Sequence, residues 1–248
     1  MIYITGDIHG NPTRFSTPYF PEQKEMTKND YVIICGDFGL VWDYKGESPK
    51  EKYWLDWLNE KPFTTLFLDG NHECFARLNS YPVEDWHGGK VHKIRDSVIH
   101  LMRGQVFEID NKKIFTFGGA SSHDIRDGIL EPDDIRIKIW KRDYSKLFRI
   151  NGQSWWKEEL PSKDEMKEGL KNLEANNNKV DYIISHCTSS SLAAIIGGGL
   201  FEPDVLTDFF QKINETVSYK KWFFGHYHID RQINPENICL FEQIIRIS

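Results

Sequence analysis

Leu66-Phe67-Leu68-Asp69-Gly70-Asn71-His72-Glu73 carries a pattern that four other segments of the chain repeat. An apolar run stops at a glycine, and an amide and an imidazole follow at once. Such a run fits a strand buried on both faces, as at the centre of a helix-covered sheet. Residues just past its end then stand at the carboxyl edge, where open α/β sheets bind ligands.

The same grammar recurs in Tyr3-Ile4-Thr5-Gly6-Asp7-Ile8-His9-Gly10, in Val32-Ile33-Ile34-Cys35-Gly36-Asp37 and in Trp222-Phe223-Phe224-Gly225-His226-Tyr227-His228. Tyr182-Ile183-Ile184-Ser185-His186 repeats it with serine for glycine. A lone Gly-Asp after a strand is a commonplace turn, and a lone His186 reads as a core histidine. Five strand exits that all end in metal-capable residues point to one site. Its members are Asp7, His9, Asp37, Asn71, His186, His226 and His228, oxygen and imidazole donors without a thiolate. That mixture suits manganese, iron, zinc or nickel better than calcium. Residues two apart on an extended segment point the same way, so Asp7 with His9, and His226 with His228, can reach one ion or two adjacent ions.

A length of 248 residues, 40% hydrophobic and 27% charged, suits one large α/β domain over residues 1–248. The apolar runs are too short for a membrane helix. The chain starts on a strand with no basic or long apolar leader, and a cytoplasmic location is expected. Net charge is −6, from 31 basic and 37 acidic residues, which gives no global pull toward nucleic acid or anionic membrane. Cys35, Cys74, Cys187 and Cys239 lack Cys-x-x-Cys spacing and read as reduced thiols.

Around the motifs, residues 11–30 read as a loop with a short helix. Pro49 opens a helix to about Glu60, Phe75 to Tyr81 is a short helix, and Pro82 to Gly89 is a turn-rich loop. Val98–Leu101, Gln105–Ile109 and Lys112–Phe117 read as an antiparallel meander belonging to a second sheet. Residues 120–160, rich in charge and aromatics with no clean period, read as a loop insertion or small cap near the site. Ser162 and Glu165 form a capping box for a helix to about Ala175. Gly197-Gly198-Gly199 marks a mobile or tight loop, and Pro203 starts a helix to about Glu215. Ile229–Ile233 and Ile238–Ile247 are expected to finish the second sheet.

The order Asp-x-His, Gly-Asp, Gly-Asn-His-Glu, His, Gly-His-x-His resembles the calcineurin-like metallophosphoesterase superfamily, in its small bacterial or bacteriophage-type members. The motifs run from Gly6 to His228. The resemblance implies an α/β/β/α sandwich of two mixed sheets with flanking helices, and a dinuclear site at the C-terminal strand ends. It implies one divalent ion on Asp7, His9 and His228, and another on Asn71, His186 and His226, with Asp37 bridging. His72 matches the histidine that faces substrate. Two such ions can clamp a phosphoryl oxygen and activate a shared hydroxide for in-line attack on a phosphomonoester or phosphodiester. His72 would assist the leaving group. Two divalent ions against two carboxylates leave a centre of about +2, because Asn71 and the imidazoles are neutral. Manganese is the first choice of metal.

Serine/threonine protein phosphatases share the Gly-Asp-Ile-His-Gly and Gly-Asn-His-Glu words. They follow the second aspartate closely with Asp-Arg, whereas Asp37 here precedes Phe38-Gly39-Leu40-Val41-Trp42, and no arginine follows until Arg77. Protein phosphatase activity therefore ranks below a general phosphoesterase. Phosphate-holding candidates are Arg77, His123 and Arg126, each of which also reads as a surface or salt-bridged residue. A phosphorylated small molecule or nucleotide is the expected substrate. A nuclease is disfavoured by the acidic balance, and a non-catalytic scaffold by the presence of all seven ligands together with His72.

Overall fold

Alternation along each strand builds three separate cores, and these define the layers. In the computed structural model, which describes residues 1–247, the elements run β1 (Ile2–Thr5), β2 (Tyr31–Ile34), α1 (Pro49–Asn59), β3 (Thr64–Phe67), α2 (Phe75–Leu78), β4 (Val83–Trp86), β5 (Gly89–Arg95), β6 (Val98–Leu101), β7 (Gln105–Ile109) and β8 (Lys112–Phe117). They continue with β9 (Gly128–Leu130), α3 (Ile137–Trp140), β10 (Phe148–Ile150), α4 (Lys163–Ala175), β11 (Tyr182–Ser185), α5 (Ser190–Gly197), α6 (Val205–Thr216), β12 (Lys221–Phe224), β13 (Arg231–Gln232), β14 (Asn237–Cys239) and β15 (Ile244–Arg246).

Among the described residues one sheet has seven strands in the order β15-β1-β2-β3-β6-β5-β4, and another has six in the order β13-β14-β12-β11-β8-β7. In the first, β1, β2, β3 and β6 are parallel neighbours. In the second, β8, β11, β12 and β14 are. Successive side chains face opposite sides. Val32, Ile34 and Phe67 therefore meet Leu55 and Leu58 of α1 outside the first sheet. Ile2, Ile4, Ile33 and Leu66 meet Ile114, Ile184 and Phe223 between the sheets. Phe115, Ile183, Trp222 and Phe224 meet Leu173 of α4 and Phe210 and Ile213 of α6 outside the second. The result is the expected four-layer α/β/β/α sandwich. No helix among the described residues is long and apolar enough to cross a membrane.

Several expectations need correction. Residues 83–95 form a hairpin, β4 with β5, rather than a turn-rich loop. Its outer strand Val83-Glu84-Asp85-Trp86 is a largely exposed edge with two acidic residues at its centre, so it shows no unbroken apolar run. The meander divides between sheets: β7 and β8 pair in the second, but β6 pairs with β3 and β5 in the first. The C-terminal segment divides too. β14 stays in the second sheet, while β15 crosses over to pair antiparallel with β1, where Ile245 and Ile247 pack into the inter-sheet core. Residues before the Gly197 loop form the helix α5, ended by Gly198 in the left-handed conformation.

The helix signals hold. α1 and α4 start on capping boxes, Ser48 with Glu51 and Ser162 with Glu165. Residues 11–30 contain two short 3-10 turns, Pro12–Phe15 and Pro21–Glu25. Residues 120–160 hold a separate two-stranded sheet, β9 with β10. Trp156, at the far end of this segment, packs with Trp42, Cys74 and Phe75 into a small core of its own.

Candidate metal centre

The carboxyl ends of β1, β2, β3, β11 and β12 converge along one edge of the two sheets, so ligands from both sheets meet there. Asp7, His9, Asp37 and His228 place one ligand atom each within 4.8 Å of one another. His9 Nε2 is 2.9 Å from His228 Nε2, and His228 Nε2 is 3.2 Å from Asp7 Oδ2. On the other side of Asp37, His186 Nε2 lies 3.3 Å from both Asp37 Oδ1 and Asn71 Oδ1. The two oxygens of Asp37 face different groups: Oδ2 stands 3.7 Å from His9 Nδ1, while Oδ1 faces His186. The His226 ring lies 5.0 Å from that of His186.

Local backbone explains the recurring glycine. A Cβ on Gly70 would lie 2.0 Å from Asp37 Oδ1, and one on Gly36 would lie 2.3 Å from His186 Nδ1. Each glycine leaves the space that a ligand from another strand fills. Ser185 stands where the pattern otherwise has glycine, and its hydroxyl accepts from the buried Trp222 Nε1–H at 2.7 Å and donates to the Cys187 carbonyl at 2.6 Å. His9, Asp37, His226 and His228 all have positive φ, between 43° and 69°. Each costs about 1–2 kcal/mol, strain of the kind that concentrates at functional sites.

Floor and rim differ in exposure. Asp7, Asp37 and His186 are buried, whereas His9, His72 and His228 side chains are 35%, 27% and 50% exposed. Burial opposes charge on Asp37, but His186, His72 and His9 hold its carboxyl well below the usual range. Burial likewise opposes the imidazolium of His186, yet Asp37 and Asp7 push its pKa up to about 9. Among the described residues no lysine or arginine ion-pairs with either carboxylate; their partners are imidazoles. Two buried carboxylates ringed by imidazole and amide donors, with no fixed cation, form a donor set that fits divalent metal ions.

His72 is placed by its backbone N–H, which donates to Asp37 Oδ1 at 2.8 Å. Its ring sits 5.6 Å from Trp42 and its Nε2 3.9 Å from Asp37 Oδ2. Glu73 accepts from Phe38 N–H at 2.7 Å and Gly39 N–H at 3.3 Å, holding the loop after β2. Of the three phosphate-holding candidates, His123 joins the cluster, with Nε2 2.7 Å from His226 Nε2 and its ring against Phe201. Arg77 turns instead to Glu51 at 2.9 Å and the Asp43 carbonyl at 2.8 Å. Arg126 is 71% exposed and donates to the Ser145 carbonyl at 3.2 Å.

Three supporting groups escaped sequence reasoning. Arg14 donates to the Asp7 carbonyl at 2.8 Å, to Thr5 Oγ1 at 2.9 Å and to the Phe241 carbonyl. Asp69 accepts from the buried Arg103 at 2.6 and 2.8 Å and contacts His100 at 3.1 Å. Ser122 and Glu159 adjoin Asn71. Asp69 stands inside the opening motif, which is the one signal available; the others meet the site only through space.

The family model described as calcineurin-like phosphoesterase matches residues 1–230. The chain is 30% identical to lariat debranching enzyme A of Xenopus laevis over 143 residues, 52% of this chain and 26% of that one. It is 30% identical to the lariat debranching enzyme of Schizosaccharomyces pombe over 132 residues, 48% of this chain and 27% of that one. With that of Danio rerio the identity is 26% over 143 residues, 52% and 24% of the two chains. The chain thus spans about a quarter of the length of these relatives. A match over nearly the whole chain makes this protein a member of the calcineurin-like phosphoesterase family, hydrolases of phosphoester bonds.

Proposed function

We propose that this chain is a metal-dependent phosphodiesterase acting on a nucleotide-containing diester. The carrying observation is that His9 stands on the wall between two cavities. One, of about 730 Å³, is lined by Asp7, His9, Arg14, Tyr19 and Phe241 among others. The second, of about 520 Å³, is lined by His9, Trp42, Tyr44, His72 and Gln153 among others. A monoester needs room for an organic group on one side of phosphorus; a diester needs it on both. Aromatic walls on each side suit planar bases. The curated relatives, named for debranching lariats, support the diester reading.

Asp7, His9 and His228 would hold one ion and Asn71, His186 and His226 the other, with Asp37 between them and manganese the first choice of metal. When bound, two divalent ions supply Lewis-acid stabilisation and a nucleophile at neutral pH. The chain's own groups do the rest. His72 lines the Trp42 cavity, so the leaving group departs into that side and takes its proton from the imidazole. Asn71, an amide where a third carboxylate would cancel charge, keeps the site attractive to an anion. The four cysteines are all buried and unpaired, which supports work in a reducing compartment such as the cytoplasm.

The test is hydrolysis with manganese of a dinucleotide, bis(p-nitrophenyl) phosphate and p-nitrophenyl phosphate, beside manganese titration. Both diesters should exceed the monoester. His72→Ala should keep two equivalents of manganese and lose roughly 10²–10⁴-fold in rate, while Asp37→Asn should lose both metal pairing and turnover. A wild-type protein that binds no divalent ion, or that prefers the monoester, overturns the reading.

A further inference from the structure

A carboxyl group at the end of the 120–160 segment reaches the metal centre without touching a metal ligand. Glu159 is buried, and both of its oxygens reach Ser122: Oε1 accepts the Ser122 backbone N–H at 3.0 Å, and Oε2 accepts the Ser122 hydroxyl at 2.6 Å. Ser122 Oγ in turn lies 3.3 Å from Asn71 Nδ2. A carboxylate only accepts, so the serine proton is committed to Glu159 and the serine oxygen has only lone pairs to offer Asn71. The amide must then meet Ser122 with its NH₂ group and present Oδ1 to His186 Nε2. The reversed amide would set Oδ1 against an oxygen that has no proton to give, leaving a buried acceptor unpaired at roughly 1–3 kcal/mol.

The main chain that carries Glu159 is itself held in place. Arg103 Nη2 donates to the Glu158 carbonyl at 2.8 Å and to the Glu159 carbonyl at 3.4 Å, while Nε and Nη2 grip Asp69 Oδ2 at 2.8 and 2.6 Å. A Cβ on Gly119 would lie 2.6 Å from the Glu159 carbonyl oxygen, so the two backbones are in close approach there. Asp69, Arg103, Glu159, Ser122 and Asn71 thus close a ring of buried contacts that leaves the loop after β3 at Asp69 and returns to it at Asn71.

We infer that Glu159 is a positioning residue: acting through Ser122, it fixes which end of the Asn71 amide faces the metal centre. The inference rests on the proposed role of Asn71 as a metal ligand. A ligand oxygen fixed in advance spares the ion the work of turning the amide, and hydrogen bonds behind a ligand of this kind commonly set metal affinity. Glu159→Gln keeps the shape but brings an NH₂ that can donate to Ser122. The serine is then free to donate to Asn71, and the amide loses its fixed polarity.

The experiment is calorimetric titration with manganese of the full chain and of Asn71→Ala, Glu159→Gln, Ser122→Ala, Asn71→Asp and the double variant Glu159→Gln/Asn71→Asp. Glu159→Gln should weaken the second equivalent roughly 10–100-fold, and Ser122→Ala should weaken it less. A carboxylate has oxygen at both ends and no orientation to lose. The double variant should therefore bind both equivalents at least as tightly as Asn71→Asp alone, since Glu159→Gln also frees the Ser122 proton for the new carboxylate. Such a rescue separates orientation from a merely structural part for Glu159. Wild-type affinity in Glu159→Gln, or a loss that Asn71→Asp fails to restore, overturns the inference. If Asn71→Ala keeps both equivalents, it is the ligand role of Asn71 that fails. Should Glu159→Gln not fold, Ser122→Ala with and without Asn71→Asp decides by the same comparison.

Discussion

His186 Nδ1 lies 2.8 Å from the carbonyl oxygen of Cys35. A carbonyl only accepts, so Nδ1 carries the hydrogen and Nε2 is the atom aimed at Asn71 and Asp37. The bond also crosses from one sheet to the other, since Cys35 follows β2 and His186 follows β11. One contact therefore fixes which nitrogen keeps its hydrogen when the imidazole is neutral, and with it the distance between the two halves of the centre.

Gly36 makes that contact feasible, and Gly36→Ala should break it. The glycine has φ of +96°, and a Cβ there would lie 2.3 Å from His186 Nδ1. Backbone strain alone costs about 1–2 kcal/mol. A displaced His186 should weaken one metal equivalent by roughly 10–100-fold. Thermal unfolding and manganese titration of the variant check both effects, and a variant with wild-type metal affinity would contradict this account.

The strand exits were legible because a strand buried on both faces is an unbroken apolar run, and the residue after it has few roles open to it. Asp7, His9, Asp37, Asn71, His186, His226 and His228 all reach the convergent edge for that reason. Sheet membership was not legible. The Val98–Leu101 strand is buried on both faces wherever it pairs, and nothing local ties it to Thr65–Phe67 rather than to the hairpin that follows it. Arg77 reads as available to phosphate because nothing local in the sequence pairs it with Glu51, 26 residues earlier. In the fold Glu51 Oε1 also accepts the Trp42 and Asp43 N–H groups at 2.6 and 2.8 Å, and that loaded carboxylate takes the guanidinium. Ser122 and Glu159 carry no local signal, because their meaning lies in a partner distant in the chain.

Arg14→Lys should be disruptive rather than conservative. The guanidinium serves Thr5 Oγ1, the Asp7 carbonyl and the Phe241 carbonyl with its two terminal nitrogens. An ammonium cannot reproduce that planar fork. Loss of one or two of these partly buried bonds should cost about 1–3 kcal/mol in urea unfolding. The ion at Asp7 should also bind more weakly, and unchanged unfolding would show that the fork contributes nothing.

Acid should destabilise the fold through His92, away from the metal centre. Burial, and then the neighbouring His100 at 3.1 Å, lower the His92 pKa to about 4, against an ordinary value of 6.5. Well above pH 6.5 neither folded nor unfolded chain binds this proton, and the contribution is fully present. Between 6.5 and 4 the unfolded chain binds it and the folded chain does not, so stability falls as pH falls. The expected loss from pH 7 to pH 5 is about 2 kcal/mol. Urea unfolding of wild type and His92→Gln at both pH values checks this; the variant should lose less, and equal losses would remove His92 as the cause.

Trp42 should matter to the leaving group and not to the group that stays. Its ring lies 5.6 Å from His72 on one side and 5.6 Å from Trp156 on the other, so it is braced beside the proposed proton donor. Stacking of a base on an aromatic ring is worth roughly 1–3 kcal/mol. Trp42→Ala should therefore raise KM for a dinucleotide about tenfold. For a nucleotide methyl ester, whose leaving group is methanol, KM should hardly change. Tyr19 lines the opposite cavity, and Tyr19→Ala should raise KM for both substrates, since both keep a base on that side. If Trp42→Ala weakens the two substrates equally, the leaving group does not enter the Trp42 cavity, and the direction of displacement past His72 is reversed.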